Sequence, residues 1–297
     1  MIDGQTALFG FIAHPARHSR SPRMHNLSFD YWGLNARYLA FDVAPDGLAG
    51  TLAGIRSMGI AGVNLSMPFK QTVVPLLDGL TVRAQRIQAV NTIKNEAGKL
   101  IGDSTDGAGV FQDLLHQGLN LVDKHVMVLG AGGAGKAIIA AALDYGVASV
   151  TVFKRNNERY AGVQHWLEQL STTTSVPLRL CAYEDQVRMQ QVARTSDLII
   201  NATNIGMTTA GTPLPISIIQ QLVPQQTVYD VIYQPLETTF LCLARQQGCA
   251  TYNGLGMLIW QGALAFEFWT GKQMPVQQVR QDMLASIQAT PPITAQA

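Results

Sequence analysis

A strand that runs straight into a glycine loop and out into an alanine-rich helix leaves a chain few folds to choose from. His125-Val-Met-Val-Leu-Gly-Ala-Gly-Gly-Ala-Gly135 is such a stretch, and Lys136–Tyr145 after it reads as a helix. Gly130, Gly132 and Gly135 fit G-x-G-x-x-G. In that pattern one glycine turns the chain sharply, one lets backbone N–H groups approach a pyrophosphate, and one lets helix and strand pack closely. The helix that follows aims its free N–H groups and the positive end of its dipole at the phosphate. The competing reading is a glycine-rich turn that binds nothing; the strand before the loop and the helix after it favour a dinucleotide site.

With 297 residues the chain has room for two domains, each with its own core. Its 47% hydrophobic and 14% charged content is that of a globular protein. A net charge of +1 with no basic stripe argues against nucleic acid as a partner. Cys181, Cys242 and Cys249 have neither metal-site nor redox-pair spacing, which points to reduced thiols and a cytoplasmic location. Met1-Ile-Asp-Gly-Gln-Thr6 does not look like a signal peptide. No apolar run is long enough to span a bilayer. The expected partners are small molecules, and the expected state is a monomer or a homodimer.

Ahead of the glycine loop, strands are expected at Thr6–Ile12, Tyr38–Val43 and Gly62–Ser66, with helices at Arg23–Trp32, Pro45–Met58 and Leu77–Ile87. Ala89–Ile93 and Lys99–Gly102 read as a hairpin across Asn95–Gly98. The alternation predicts an α/β domain with a largely parallel sheet. Gly107–Gln117 reads as a connecting helix. Behind the loop, strands are expected at Ser149–Phe153, Leu198–Asn201 and Val228–Ile232, and helices at Asn157–Leu170, Thr238–Gln247 and Gly256–Trp269. The tail from Ala289 reads as frayed.

Several residues carry possible chemistry. Lys70 and Asp106 each follow a strand end, where ligands of open α/β sheets bind. Together they can hold charge and pass a proton; apart they are a solvated lysine and a helix-capping aspartate. Ser19 and Ser21 alternate in an extended loop and can bind a carboxylate, or Ser21 can cap the following helix. At the end of Ser149–Phe153, where an NAD site usually has an acid for the ribose, the chain has Lys154, Arg155 and, one helical turn on, Arg159. Cations there suit a 2′-phosphate, although Glu158 could pair with a cation or reach a ribose. The histidines lack metal-site spacing, and no metal is expected.

On these residues the chain resembles the shikimate dehydrogenase family, including its quinate/shikimate branch, over nearly its whole length. His18-Ser-Arg-Ser-Pro22 is similar to the family's opening substrate motif, which assigns Ser19 and Ser21 to the substrate carboxylate. Asn64-Leu-Ser-Met-Pro-Phe-Lys70 resembles the catalytic motif and implies that Lys70 is the catalytic lysine, with Ser66 at the substrate. By the same resemblance Asn91 meets the ring hydroxyls and Asp106, in Ser-Thr-Asp-Gly, stands beside Lys70. The phosphate loop is Gly130, Ala131, Gly132, Gly133, Ala134 and Gly135. Asn201-Ala-Thr-Asn-Ile-Gly-Met207 resembles the stretch along the cofactor and places Ala202, Thr203 and Asn204 there. The resemblance sets Val231, Gly254 and Met257 near the nicotinamide, and Tyr233 and Gln261 on the substrate.

Three positions depart from the family pattern. Ser66 replaces the threonine usual in biosynthetic members, a loss of one methyl worth about 1 kcal/mol in discrimination. Lys154 and Ser104 stand where asparagine is usual. The resemblance implies a two-domain α/β protein: residues 1–106 as a substrate domain completed by helices in 255–297, and residues 107–254 as a Rossmann-like domain, facing each other across a cleft that closes. It implies reversible reduction of 3-dehydroshikimate to shikimate with NADPH, a step toward chorismate and the aromatic amino acids. The alternatives are a quinate/shikimate dehydrogenase using NAD and, from another class, a non-catalytic ligand sensor.

Overall fold

The computed structural model describes residues 2–208 and 211–289, so the expected frayed tail lies, beyond Ala289 itself, outside the described residues. The chain divides into two compact α/β units. One comprises Met1–Gly109 with Ile259–Ala289, the other Val110–Leu258.

The first unit is built on a six-stranded sheet. Its strands are β1 (Ala7–Ala13), β2 (Ala36–Asp42), β3 (Gly62–Leu65), β4 (Gly79–Leu80), β5 (Thr92–Glu96) and β6 (Lys99–Asp103), in the order β2-β1-β3-β5-β6-β4. The sheet is largely parallel, as expected, with the single reversed strand β5. β1 runs parallel to β2 and β3, but β5 is antiparallel to both β3 and β6. The reason is local. Ala97 and Gly98 both take positive φ, 51° and 90°. That makes a tight hairpin turn, which must return β6 beside β5. β4 corrects an expectation, because the helix expected from Leu77 begins only at Val82. Gly79 and Leu80 pair with Ile101 and Gly102. Thr81 then caps a shorter helix, Val82–Ile87, by accepting a hydrogen bond from the Ala84 N–H.

Alternation along β1 sends its residues to two cores. Ile12 packs with Leu52, Ile55, Val63, Leu65 and Phe69. Phe9 faces an aromatic cluster with Phe29 and Trp269, their ring centroids 4.9 and 5.3 Å away. Gly62 is the gap that admits Trp269: a Cβ there would lie 2.6 Å from the indole nitrogen, which donates to the Ile93 carbonyl at 3.0 Å.

His25 lies inside this cluster, stacked on Tyr38 at 4.5 Å and fully buried. Neither ring nitrogen has a hydrogen-bond partner among the described residues. Burial pushes its pKa down to about 3, and the nearby Asn64 side chain offsets only part of that. The folded ring therefore stays neutral, while the unfolded one takes up a proton below about pH 6.5. Stability carried by this group is complete above about pH 6.5 and is lost as pH falls toward 3. Urea titrations of wild-type protein and His25→Phe across that window are expected to show the variant losing less stability than wild type, by about 4 kcal/mol. Equal pH slopes in the two proteins would refute the assignment.

The second unit has six strands, β7 (His125–Leu129), β8 (Ser149–Lys154), β9 (Leu178–Ala182), β10 (Leu198–Asn201), β11 (Thr227–Asp230) and β12 (Ala250–Tyr252). The order is β12-β11-β10-β7-β8-β9 and every pair is parallel. This is the doubly wound arrangement of dinucleotide folds, with its switch point between β7 and β10. Apolar runs buried on both faces explain it. Val126–Leu129, Leu198–Ile200 and Val228–Tyr229 are at most 2% exposed. β9 and the helices Gln186–Thr195 and Val276–Gln288 had no clear sequence signal. β9 is a half-exposed edge strand, and the other two are polar helices with narrow apolar faces.

Candidate active site

In the first unit, antiparallel pairing of β5 with β3 and β6 brings three chain segments to one sheet end. Asn64 on β3 is opposite Thr92 on β5, which is opposite Asp103 on β6. The residues just beyond these positions are Ser66 to Lys70, Asn91, and Ser104 to Asp106. The short helix Phe69–Thr72 lifts Lys70 over the strand ends, and the helix Asp106–His116 begins at Asp106.

There the Lys70 ammonium donates to Asp106 Oδ2 at 2.6 Å. The lysine side chain is 31% exposed and the carboxylate 13%, so the pair is sheltered yet reachable. Asn91 Nδ2 lies 2.9 Å from Asp106 Oδ1, 2.9 Å from Thr105 Oγ1 and 3.3 Å from Gln261 Oε1. The Thr105 N–H returns a bond to Asn91 Oδ1 at 2.8 Å. Asn91 is buried and is locked by these bonds. Asp106 is thus held by a lysine on one oxygen and an amide on the other; it is neither solvated nor serving merely as a helix cap.

Sequence reasoning missed part of this network. Asn64, also buried, donates from Nδ2 to the Asn91 carbonyl at 3.1 Å and accepts from the Tyr38 hydroxyl at 2.7 Å. The available signal was a lone asparagine in a strand otherwise apolar, since a buried amide must find partners. Tyr38 is fully buried, and burial pushes its phenol well above the usual range against a Ser21 hydrogen bond. Ser21 is buried, and its N–H donates to Ser19 Oγ at 3.3 Å. The cap reading of Ser21 is overturned: it is already helical in Ser21–Tyr31, and the cap position, Arg20, makes no side-chain capping bond. Ser66 is half-buried beside this group, its N–H bound to the Ile12 carbonyl at 3.0 Å. Ser104 is buried, with its N–H on Asp103 Oδ1 at 2.7 Å.

In the second unit the glycine loop leaves β7 and meets the end of β10. Gly130 has φ +97°, and a side chain there would strike Thr203 Cγ2 at 2.7 Å. A Cβ on Gly135 would stand 2.9 Å from the Gly130 carbonyl carbon and closer still to its oxygen. The helix starts at Gly133, ahead of the expected Lys136. Around Gly132 and Gly133 there is nothing within 4 Å of an added Cβ, so the N-terminal amides face open space. Open space, bare amides and a helix N-terminus at the switch point fit a pyrophosphate.

The end of β10 is organised by a buried pair. Asn201 Oδ1 accepts from the Thr203 N–H (3.0 Å) and hydroxyl (2.7 Å), and its amide donates to Asp230 Oδ1 at 2.9 Å. Asp230 also accepts from the Thr238 hydroxyl at 2.7 Å and the Ile232 N–H at 3.1 Å. Burial still pushes its pKa up to about 6. These bonds fix Ala202, Thr203 and Asn204 on one strand end and Val231 on the next. Gly254 packs on that segment, where a Cβ would fall 3.0 Å from Val231 Cα, and the Met257 N–H donates to Tyr229 Oη at 2.9 Å. Tyr233 lies just past β11 in the same unit.

At the end of β8, Arg155 and Arg159 are exposed, and no hydrogen bond or ion pair engages either guanidinium among the described residues. Lys154 differs: its side chain is half-buried and its ammonium bonds Asn157 Oδ1 at 2.7 Å and the Arg155 carbonyl at 3.3 Å. Among the described residues no three His, Cys, Asp or Glu side chains gather as a metal site, and no helix is long and apolar enough to cross a membrane.

Residues 11–93 match the shikimate dehydrogenase substrate binding domain, and residues 254–284 the shikimate 5′-dehydrogenase C-terminal domain. Residues 112–234 match the C-terminal domain of alanine dehydrogenase/PNT. Shikimate dehydrogenase (NADP(+)) of Latilactobacillus sakei is 48% identical, with 95% of this chain and 98% of that one aligned. The chain belongs to the shikimate dehydrogenase family. Among solved structures, shikimate 5-dehydrogenase from Listeria monocytogenes, in complex with shikimate and NAD, is 40% identical with TM-score 0.91, covering 95% of this chain and 98% of that one. Quinate dehydrogenase from Corynebacterium glutamicum, in complex with NAD, is 29% identical with TM-score 0.84, covering 94% of this chain and 99% of that one. Of the three departures from the family pattern, Lys154 now has a local account, as a staple of its own loop. Nothing in the structure explains Ser104.

Proposed function

We propose that this shikimate dehydrogenase family member catalyses the reversible reduction of 3-dehydroshikimate to shikimate with NADPH. The observation that carries the reading is the sheltered Lys70–Asp106 pair, 2.6 Å apart at the converging ends of β3, β5 and β6. The 48% identity to an NADP(+)-dependent shikimate dehydrogenase along nearly the whole chain supports it.

The dinucleotide, when bound, supplies the hydride, and Gly130 to Gly135 would hold its pyrophosphate. Ala202, Thr203, Asn204, Val231, Gly254 and Met257 would line its course, and Arg155 and Arg159 would clamp the 2′-phosphate. Lys154 is already bonded within its loop and would support that clamp more than form it. In the first unit Ser19 and Ser21 would bind the substrate carboxylate, while Ser66, Asn91 and Gln261 would meet hydroxyls. As hydride reaches the ketone carbon, negative charge builds on the oxygen. The Lys70 ammonium stabilises that charge and gives up a proton to it. Asp106 orients the ammonium, and Asn91 keeps the carboxylate from turning away. In the oxidative direction the same lysine, deprotonated, accepts the hydroxyl proton. The free thiols Cys181, Cys242 and Cys249 are consistent with a cytoplasmic location.

Initial rates with shikimate or quinate, each with NADP or NAD, test the reading. Shikimate with NADP is expected to be fastest, by at least about tenfold over quinate with either cofactor. Quinate turnover with NAD at a comparable rate would overturn it in favour of the quinate branch and make Ser66 the next residue to change. Silence with all four combinations, from folded protein that binds a dinucleotide, would favour a sensor.

A further inference from the structure

The loop that would receive the 2′-phosphate already holds an anion of its own. β9 runs parallel to β8 with Lys154 opposite Ala182, and the Tyr183 N–H bonds the Lys154 carbonyl at 2.9 Å. That register carries Glu184, just beyond β9, to the loop 155–159. Its two carboxylate oxygens accept from the Asn156 N–H at 3.2 and 3.3 Å. The loop's own acid, Glu158, makes no such bond among the described residues. Lys154, Arg155 and Arg159 belong to the same turn of chain, and Lys154 feels the charges of Arg155, Arg159 and Glu184. Burial lowers the Lys154 pKa first, the charges of Arg155 and Arg159 lower it further, and Glu184 pulls it back.

A backbone N–H in a short loop that carries three cations is an anion site, and a carboxylate sits on it. We propose that Glu184 is a specificity-determining residue, a built-in anion that competes with the cofactor's 2′-phosphate and so moderates the preference for NADP over NAD. The proposal rests on the dinucleotide reading above and deepens it. NAD carries ribose hydroxyls at this place and is not repelled; hydroxyls can donate to a carboxylate. A phosphomonoester carries nearly two negative charges and must share the cations with Glu184. For charges a few ångströms apart at a wet surface, the penalty is about three- to tenfold in affinity. It shrinks at high salt.

The experiment is a titration of wild-type protein and Glu184→Gln with NADP, NAD and 2′-AMP at low ionic strength. Glutamine keeps a carbonyl for the Asn156 N–H and removes only the charge. NADP and 2′-AMP are expected to bind Glu184→Gln about three- to tenfold more tightly, with NAD unchanged and the gain reduced in high salt. Unchanged or weaker NADP binding overturns the proposal, and so does equal weakening of both dinucleotides, which would leave Glu184 only supporting the loop. If wild-type protein binds neither dinucleotide, the function reading itself fails and takes the proposal with it. The two failures are therefore read from different proteins.

Discussion

Lys70→Ala is expected to lower kcat for shikimate oxidation on the order of a thousandfold while leaving dinucleotide affinity unchanged. A positioned proton donor contributes about 10²–10⁴-fold, and a fixed cation beside a developing oxyanion contributes comparably. The two effects come from one ammonium, so they do not multiply in full. The affinity should hold because the glycine loop and its arginines belong to the other unit. Truncation leaves Asp106 with Asn91 on one oxygen and no cation on the other, so a modest loss of stability is also expected. Lys70→Arg separates charge from geometry: a planar guanidinium keeps the charge but is a far poorer proton donor, and should recover little activity. Single-turnover rates, with dinucleotide titrations alongside, make the check. If Lys70→Ala kept more than a tenth of wild-type kcat, the proton-donor role of Lys70 would be lost.

Gly135→Ala is expected to destabilise the second unit by about 3 kcal/mol and to abolish dinucleotide binding. The new methyl meets the backbone carbonyl of Gly130, which cannot rotate away as a side chain would. Either the helix Gly133–Ala142 moves off β7 or the loop between them deforms, and both spoil the phosphate site. For a unit of this size the transition should fall by about 10 °C. Gly132→Ala is the informative companion. An added Cβ there meets nothing within 4 Å, so the fold should be untouched. The methyl would instead enter the space a pyrophosphate needs, and dinucleotide affinity should drop at least about tenfold without a change in melting temperature. Equal melting losses in the two variants would mean that the loop's glycines serve packing alone.

Local sequence carried a good part of this architecture. A strand, three spaced glycines and an alanine-rich helix identify a dinucleotide unit because the constraint is steric and lies within one short stretch of chain. Turn chemistry at Asn95–Gly98 was equally legible. Edge and polar elements were not: β9 and the helix Gln186–Thr195 are stabilised by the sheet they flank, and their own residues say little. β4 is only Gly79 and Leu80, and it exists because β6 is beside it.

The candidate site divides in the same way. Lys70 and Asp106 were visible as polar residues after strand ends, yet they are far apart along the chain, and nothing local says that they touch. Pairing of β3, β5 and β6 brings them together, and the same pairing recruits Asn64, whose sequence signal names no partner. Arg155 and Arg159 were legible as cations in a loop; that Lys154 is tied down inside that loop and that Glu184 sits on its backbone were not. Those facts depend on the register of β8 against β9. Chain order settled which residue types stand ready at the ends of strands. Which of them meet was left to the folded arrangement, because hydrogen bonds and ion pairs act over about 3 Å in space, while their partners lie many residues apart along the chain.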